Sequence, residues 1–170
     1  ARRVWLLLAG LTFADDQAGF LAGVIAGGVA TGLTAKVGVI GGLPIPPVIR
    51  FITGFQHGVE LACPSCSTTV IYCPFGGAAE ATTGLSCPGE FADAAFGVGV
   101  AKYLIAQGVD VIFGAGGPTG STGIKYASAP QGTTINFVWA TSYVGTKSET
   151  AAPYVVCLLY TSDAADECLC

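Results

Sequence analysis

Four apolar runs along the chain predict buried β-strands. Each run is short, is rich in β-branched or aromatic side chains, and is bounded by glycine, proline or polar residues. The third is a continuous apolar run of the kind found in parallel sheets that are covered on both faces. The runs are KVGVIGG at 36–42, STTVIYC at 67–73, VDVIFGAGG at 109–117 and INFVWA at 135–140.

Helical patterns lie between these strands. After a proline-rich start, PIPPVIRFITGFQHGVELA at 44–62 predicts a helix. Its apolar face consists of Val48, Phe51, Ile52 and Phe55. Another helix is predicted over about 92–107, ended by Gly108. Because strands and helices alternate, we expect an α/β fold, in which a parallel sheet with right-handed crossovers carries helices on both faces.

The segment QAGFLAGVIAGGVATGLTA at 17–35 has no charged residue, and its length approaches that of a membrane-spanning helix. Glycines interrupt it and bulky apolar side chains are sparse. The glycines are Gly19, Gly23, Gly27, Gly28 and Gly32. This pattern is typical of a helix packed closely against a sheet, and a membrane-anchored structural or signalling receptor domain is an alternative.

The composition fits one domain with a buried sheet. Of 170 residues, 52% are hydrophobic and 11% are charged. The chain starts at Ala1 and contains no methionine, so we expect a fragment of a longer protein. Because no basic run or stripe is present to neutralise phosphates, nucleic acid is not an expected partner.

The end of the chain resembles a sequencing artefact. From Cys157, CLLYTSDAADE can be encoded by the transposase adapter that is used to prepare sequencing libraries. We therefore expect 157–170 to be a tail without evolved function. Without this tail, eight acidic residues stand against seven basic ones, and the formal net charge changes from −4 to −1. The acidity of the chain therefore indicates no partner.

Four cysteines remain, all within one Pro/Gly/Ser/Thr-rich stretch: Cys63, Cys66, Cys73 and Cys87. An even, clustered set predicts two disulfides in an oxidising compartment, although the spacing does not determine which cysteines pair. CPSC also has the short spacing of half a zinc site. Zinc is therefore an alternative, but Cys73 and Cys87 do not form the second close pair that it needs.

The glycines after the third strand lie where open α/β sheets bind ligands. Gly114, Gly116 and Gly120 have a GxGxxxG spacing, which differs from the dinucleotide-binding fingerprint. About twenty residues further on, INFVWATS lacks the acidic residue that would hold a ribose hydroxyl. An NAD(P)-binding Rossmann-type oxidoreductase is therefore kept only as the alternative.

No catalytic combination is apparent. The single histidine, His57, lies in an apolar helix without a serine or cysteine partner in a nucleophile motif. Asp15 and Asp16 have the chemistry of a paired acid and base, but adjacent carboxylates ahead of a helix more often cap it. We expect neither an enzyme nor a cofactor or metal site.

Three stretches, taken in order, resemble conserved segments of the basic membrane lipoprotein family. They are TFADDQAGFLAGVIAG, KVGVIGGLPIPPVIRFITGFQHGVELA and EFADAAFGVGVAKYLIAQGVDVIFGAGGPTG, and the likeness covers about residues 11–130. Known members of this family of substrate-binding proteins include purine nucleoside receptors. The resemblance implies a type I periplasmic-binding fold, a nucleoside-like small-molecule ligand and an ABC transporter permease as partner. It also implies an extracytoplasmic location, with membrane attachment only through a lipid anchor or a missing segment.

The same resemblance divides the chain between two lobes. Residues 1–36 would form the end of the first lobe, and 37–138 most of the second, with a cysteine-containing loop at 74–90. Residues 139–156 would cross back toward the first lobe.

The resemblance also assigns ligand-binding residues. Phe91 of EFAD matches an aromatic that stacks on a purine, and Asp15 of TFADD, with Asp16 beside it, matches a carboxylate that contacts the base. Gly116 and Gly117 lie in the turn that borders the pocket.

Two departures from the family pattern affect this assignment. The loop at 74–90 looks like an insertion relative to the compact bacterial pattern. Where the family has Gly-Val-Asp, whose carboxylate holds the ribose, this chain has Trp139, Ala140 and Thr141. We therefore expect Thr141 to occupy the sugar-binding position and to bind more weakly or with a different sugar preference.

Overall fold

The protein has a five-stranded parallel sheet with helices on both faces. The computed structural model describes residues 14–30, 35–74 and 84–128, and the backbone of two further strands at 137–140 and 155–157. The strands are β1 (Lys36–Gly41), β2 (Ser67–Tyr72), β3 (Val111–Ala115), β4 (Phe137–Ala140) and β5 (Val155–Cys157). Their order across the sheet is β2-β1-β3-β4-β5, and every neighbouring pair is parallel.

The helices lie in two layers. They are α1 (Asp15–Ala30), α2 (Pro46–Ala62), α3 (Ala94–Ala106) and α4 (Gly117–Ser128), with a short 3-10 turn at Glu90–Ala92 before α3. Helices α1 and α2 pack on one face of the sheet, and α3 and α4 pack on the other. The predicted α/β class is therefore confirmed, as are the four predicted strands and the helices at 44–62 and 92–107.

Two elements were not predicted. Helix α4 has the sequence GPTGSTGIKYAS, which lacks an apolar period and contains three glycines and a proline. It is held by tertiary contacts, since Gly120 lies against the backbone of Gly114 and Gly123 lies against the carbonyl of Gly97. Strand β5 includes Cys157, where the artefact tail was predicted to begin. Residues 158–170 lie outside the described residues.

Stacked aromatic rings form the centre of the α1/α2 side of the core. Phe113 on β3 is fully buried, and its ring stacks with those of Phe55 and Phe51 on α2, at centroid distances of 4.2 and 5.6 Å. Full burial of such a side chain contributes about 1.5–3 kcal/mol. Phe51 and Phe55 belong to the apolar helix face that the sequence predicts.

Helices α1 and α2 approach so closely that backbone meets backbone. Gly19 faces the carbonyl of Phe51, and Gly23 faces that of Phe55 four residues further along both helices, so the two helices run parallel. Gly19, Gly23 and Gly27 of α1 therefore serve helix–helix packing. Among the described helices, none reaches both the length and the hydropathy of a membrane span.

Helix α1 shares a core with residues that were assigned to the other lobe. Ala22, Ala26 and Ala30 of α1 are buried in one cluster with Val39 and Phe113. The division of the chain between lobes at residue 36 stays a prediction.

The four described cysteines form two disulfides, Cys63–Cys66 and Cys73–Cys87. The predicted disulfides are confirmed, and the zinc alternative is wrong because every one of these sulfurs is bonded to another. Within 14–30, 35–74 and 84–128, no group of His, Cys, Asp or Glu side chains is placed to hold a metal ion.

The close contact between α1 and α2 predicts opposite effects for two glycines of one helix. We expect Gly23→Ala to lower the free energy of unfolding by about 1–3 kcal/mol, because the added methyl would overlap the Phe55 carbonyl. Gly28→Ala is the matched control. Among the described residues, no atom outside the neighbouring helix backbone lies within 4 Å of its added methyl, so relief of backbone entropy should stabilise the protein by roughly 0.5–1 kcal/mol. Urea unfolding of both variants measures this, and equal effects would contradict the helix contact.

Candidate ligand-binding site

The carboxyl edge of the sheet has the geometry at which parallel α/β sheets bind ligands. From β1 the chain moves outward to β2 and then returns to place β3 on the other side of β1. This reversal is a topological switch point, the place at which open α/β sheets have a ligand-binding crevice between the strand ends. The amide of Gly42 donates to the carbonyl of Ala115 at 3.0 Å, which holds the turns after the two strands together.

Phe91 lies across this crevice. Its ring occupies the space where a side chain on Gly42 would be, and a Cβ on Gly116 would come within 2.5 Å of the Gly42 amide nitrogen. The ring is half-buried and packs against the α3/α4 cluster. Glycines at 42 and 116 therefore allow an aromatic ring and two turns to meet at one point.

Gly117 begins α4 at the same point. Its φ of +54° is in the left-handed region that favours glycine, and the carbonyl oxygen of Phe91 lies 3.4 Å from the position of its missing Cβ. The structure thus brings together Phe91, Gly116 and Gly117, three of the residues that the family resemblance assigns to the ligand.

Two polar side chains hold the backbone around Phe91. The fully buried hydroxyl of Thr119 donates to the carbonyl of Glu90 at 2.6 Å and accepts from the amide of Asp93 at 2.8 Å. Glu90 itself has a φ of +52°, unusual for a residue with a side chain. Thr119 therefore fixes both ends of the turn that carries Phe91.

Asp93 caps α3 and closes the turn from the other side. Its carboxylate accepts from the amides of Phe96 at 2.8 Å and Gly89 at 3.0 Å. These hydrogen bonds, the one from Phe96 first, hold the pKa of Asp93 below its ordinary value. Sequence reasoning missed both supporting residues. An aspartate directly before the apolar helix is a recognisable N-cap signal, whereas nothing in the sequence marks Thr119.

Asp15 and Asp16 start α1, in the layer on the opposite face of the sheet. Because α1 runs parallel to α2, which returns from the carboxyl edge, both residues lie toward that edge. The buried carboxylate of Asp15 forms an ion pair with Arg50 of α2 at 3.1 Å. Asp16 is exposed and lines a groove of about 540 Å³ between α1 and α2, together with Arg50 and His57. Thr141 lies outside the described residues. The binding roles of all these residues stay predictions.

Comparison with solved structures defines the class of protein. The fold is similar to an ABC transporter solute-binding protein from Aeropyrum pernix K1, with a TM-score of 0.59 and 27% sequence identity. The similarity covers 74% of this chain and 33% of that one. The fold is therefore that of part of a solute-binding protein.

Sequence comparison narrows this class. Residues 7–76 match the Bmp family, described as PnrA-like substrate-binding proteins of ABC transporters. A CD4+ T-cell-stimulating antigen of Listeria monocytogenes is 35% identical over 109 residues, which are 64% of this chain and 26% of that protein. The ABC transporter nucleoside-binding protein BmpA of Lactococcus lactis is 30% identical over 118 residues, 69% of this chain and 29% of that protein. These matches confirm the resemblance to the basic membrane lipoprotein family.

The chain spans about a quarter to a third of the length of these relatives. The family match ends at residue 76, before Phe91. The edge formed by Phe91, Gly116 and Gly117 is therefore an observation from the structure that the family match does not include.

The hydrogen bonds of Asp93 predict a pH-dependent contribution to stability. Because its pKa is lowered in the folded state, the contribution is present at neutral pH and is lost as pH falls below the ordinary aspartate pKa of about 4. We expect Asp93→Ala to lower the free energy of unfolding at pH 7 by about 0.5–2 kcal/mol. The difference from the parent should shrink at pH 3.

Asp93→Asn is the matched control, because asparagine keeps a capping oxygen that does not titrate. It should retain most of the stability at pH 7. Guanidinium unfolding at both pH values measures these effects, and an equal loss for Asp93→Ala at pH 7 and pH 3 would show that the carboxylate charge plays no part.

Proposed function

We propose that this chain is part of an extracytoplasmic receptor that binds a nucleoside-like small molecule and delivers it to an ABC transporter. The observation that carries the proposal is the position of Phe91, a half-buried aromatic ring held across the glycine turns at the switch point of a parallel sheet. A flat ring at such an edge offers a stacking surface to a base at low entropic cost. The Lactococcus lactis relative is a nucleoside-binding protein, which agrees with this chemistry.

The surrounding turns suit a polar ring compound. Gly116 and Gly117 have no side chain to obstruct the approach of a ligand to the backbone, and the amino end of α4 is directed to the same edge. Asp15 contributes in this proposal through its second acceptor capacity, because a carboxylate that pairs with Arg50 retains lone pairs for a ligand N–H group. Asp16 is exposed beside Asp15, and we assign it to the same ligand.

An extracytoplasmic location is consistent with the two disulfides, which persist in oxidising compartments. A nicotinamide oxidoreductase is less favoured than a receptor, because no acidic residue stands where a ribose hydroxyl would be held and the glycine spacing differs from the fingerprint. The receptor needs no catalytic group, and we propose none.

The stacking role of Phe91 is tested by isothermal titration calorimetry of the complete protein with purine nucleosides. Loss of a base-stacking ring costs about 1–3 kcal/mol, so Phe91→Ala should raise Kd roughly five- to 150-fold. Tyr103→Ala is the matched control, because Tyr103 is a half-buried aromatic near the end of α3, which runs away from the carboxyl edge. If Phe91→Ala binds as tightly as the parent, the proposed site is wrong.

The sugar position gives a separate prediction. Thr141 stands where the family has a carboxylate, and a charge-assisted hydrogen bond is worth about 1.5–3 kcal/mol. Thr141→Asp should therefore lower the Kd for purine ribosides by one to two orders of magnitude, while leaving that for the free bases unchanged. Equal changes for ribosides and free bases would remove the assignment of position 141 to the sugar. NADH serves as the negative control in the same titrations.

A further inference from the structure

The two disulfides lie at opposite edges of the sheet. Cys63–Cys66 joins the end of α2 to the residue before β2, at the amino edge. Cys73 directly follows β2, so Cys73–Cys87 lies at the carboxyl edge beside the proposed site. Both cysteines of this second pair are fully buried.

One half of the Cys73–Cys87 disulfide is tied to the surface on which Phe91 rests. The amide of Cys73 donates to the carbonyls of Gly41 and Gly42, at 3.2 Å each. The ring of Phe91 lies against Gly42. Cys73 is thus hydrogen-bonded to Gly42, the residue that the Phe91 ring contacts.

The other half is tied to the backbone that carries Phe91. The carbonyl of Cys87 accepts from the amide of Glu90 at 3.3 Å, and the Cys87 sulfur lies 3.4 Å from the Glu90 carbonyl oxygen. Glu90 is the residue with left-handed backbone directly before Phe91. Through Cys73 and Cys87, the disulfide therefore links two parts of the backbone. One is Gly42, which the Phe91 ring contacts, and the other is Glu90, which directly precedes Phe91.

We propose that the Cys73–Cys87 disulfide is a positioning element of the ligand site. It fixes the turn at 90–92 to the end of β2, so that the Phe91 ring is held across Gly42 before a ligand arrives. A ring held in its binding position does not lose conformational freedom on binding, which increases affinity. This inference rests on the proposed function, because it concerns the same aromatic ring.

The test compares the two disulfides in the full chain. Cys73→Ala/Cys87→Ala should raise the Kd for a purine nucleoside by about tenfold, whereas Cys63→Ala/Cys66→Ala should leave it unchanged. If the first pair of substitutions prevents folding, Cys73→Val/Cys87→Ala, which retains more of the buried volume, replaces it. Equal affinity of the two disulfide variants and the parent would overturn the inference and leave the proposed function intact.

A double-mutant cycle separates positioning from a general loss of stability. If the disulfide acts through Phe91, its removal from the Phe91→Ala background should not weaken binding further. Additive losses of affinity would show that the disulfide acts on the ligand by another route and would overturn the inference.

Amide hydrogen exchange gives a readout that does not need a ligand. Loss of Cys73–Cys87 should accelerate exchange at Glu90 and Ala92, whose amides donate within the turn, and loss of Cys63–Cys66 should not. If the parent binds no nucleoside, the proposed function fails while this measurement still decides whether the disulfide fixes the turn. Unchanged exchange at both amides would overturn the inference.

Discussion

The carbonyl of Phe51 lies against Gly19 and the carbonyl of Phe55 against Gly23, where any side chain would overlap the neighbouring backbone. The same kind of contact recurs on the other face of the sheet, where Gly97 of α3 meets the carbonyl of Thr119 in α4. Glycine within a helix costs about 0.5–1 kcal/mol relative to alanine. Dense packing offsets that cost here, because it lets α1, which has few large side chains, cover the sheet.

The candidate site, like the helix layers, depends on glycines that leave room for close contact. Phe91 reaches the crevice because Gly42 leaves room for its ring, and the turn after β3 can meet Gly42 because Gly116 has no side chain. Polar contacts then make the arrangement specific. Thr119 is fully buried, and its hydroxyl is both donor and acceptor to the turn at 90–92. A buried hydroxyl with both roles satisfied stabilises one backbone geometry over its competitors, since any other leaves a buried polar group unpaired.

The sequence predicts the elements whose signal is local. Val111, Ile112 and Phe113 form an uninterrupted apolar run, and Phe51 and Phe55 repeat at helical spacing, so β3 and α2 could be predicted. Helix α4 could not, because its sequence has no apolar period and its stability comes from contacts with β3 and α3. Disulfides could be predicted from number and clustering, but the pairing depends on topology. A strand between Cys66 and Cys73 could be predicted, but only the fold shows that Cys87 returns to the end of that strand.

The predicted ligand residues also divide into those whose position follows from the fold class and those whose partners are distant in the sequence. Phe91, Gly116 and Gly117 meet because parallel strands bring their carboxyl ends to one edge, a consequence of the fold class that the sequence predicts. The partner of Asp15 could not be predicted, since Arg50 is 35 positions away and on a different helix. Because Asp15 is already stabilised by Arg50 without a ligand, its place in the family motif supports a ligand-binding site less strongly than the position of Phe91 does.

The edge formed by Phe91, Gly42 and the turn at 116–117 would cover one face of a flat ligand ring. Small molecules that bind tightly to proteins bury about 70–90% of their surface, and a single concave edge leaves the opposite side of the ring in water. In the proposed receptor, the second side is covered by the other lobe, which agrees with a chain that spans 29% of its Lactococcus lactis relative. Affinity then has two separable parts. In this proposal, the described edge fixes the orientation of the Phe91 ring in advance, through Thr119, Asp93 and the disulfide, and closure of the first lobe over the ligand supplies most of the buried area.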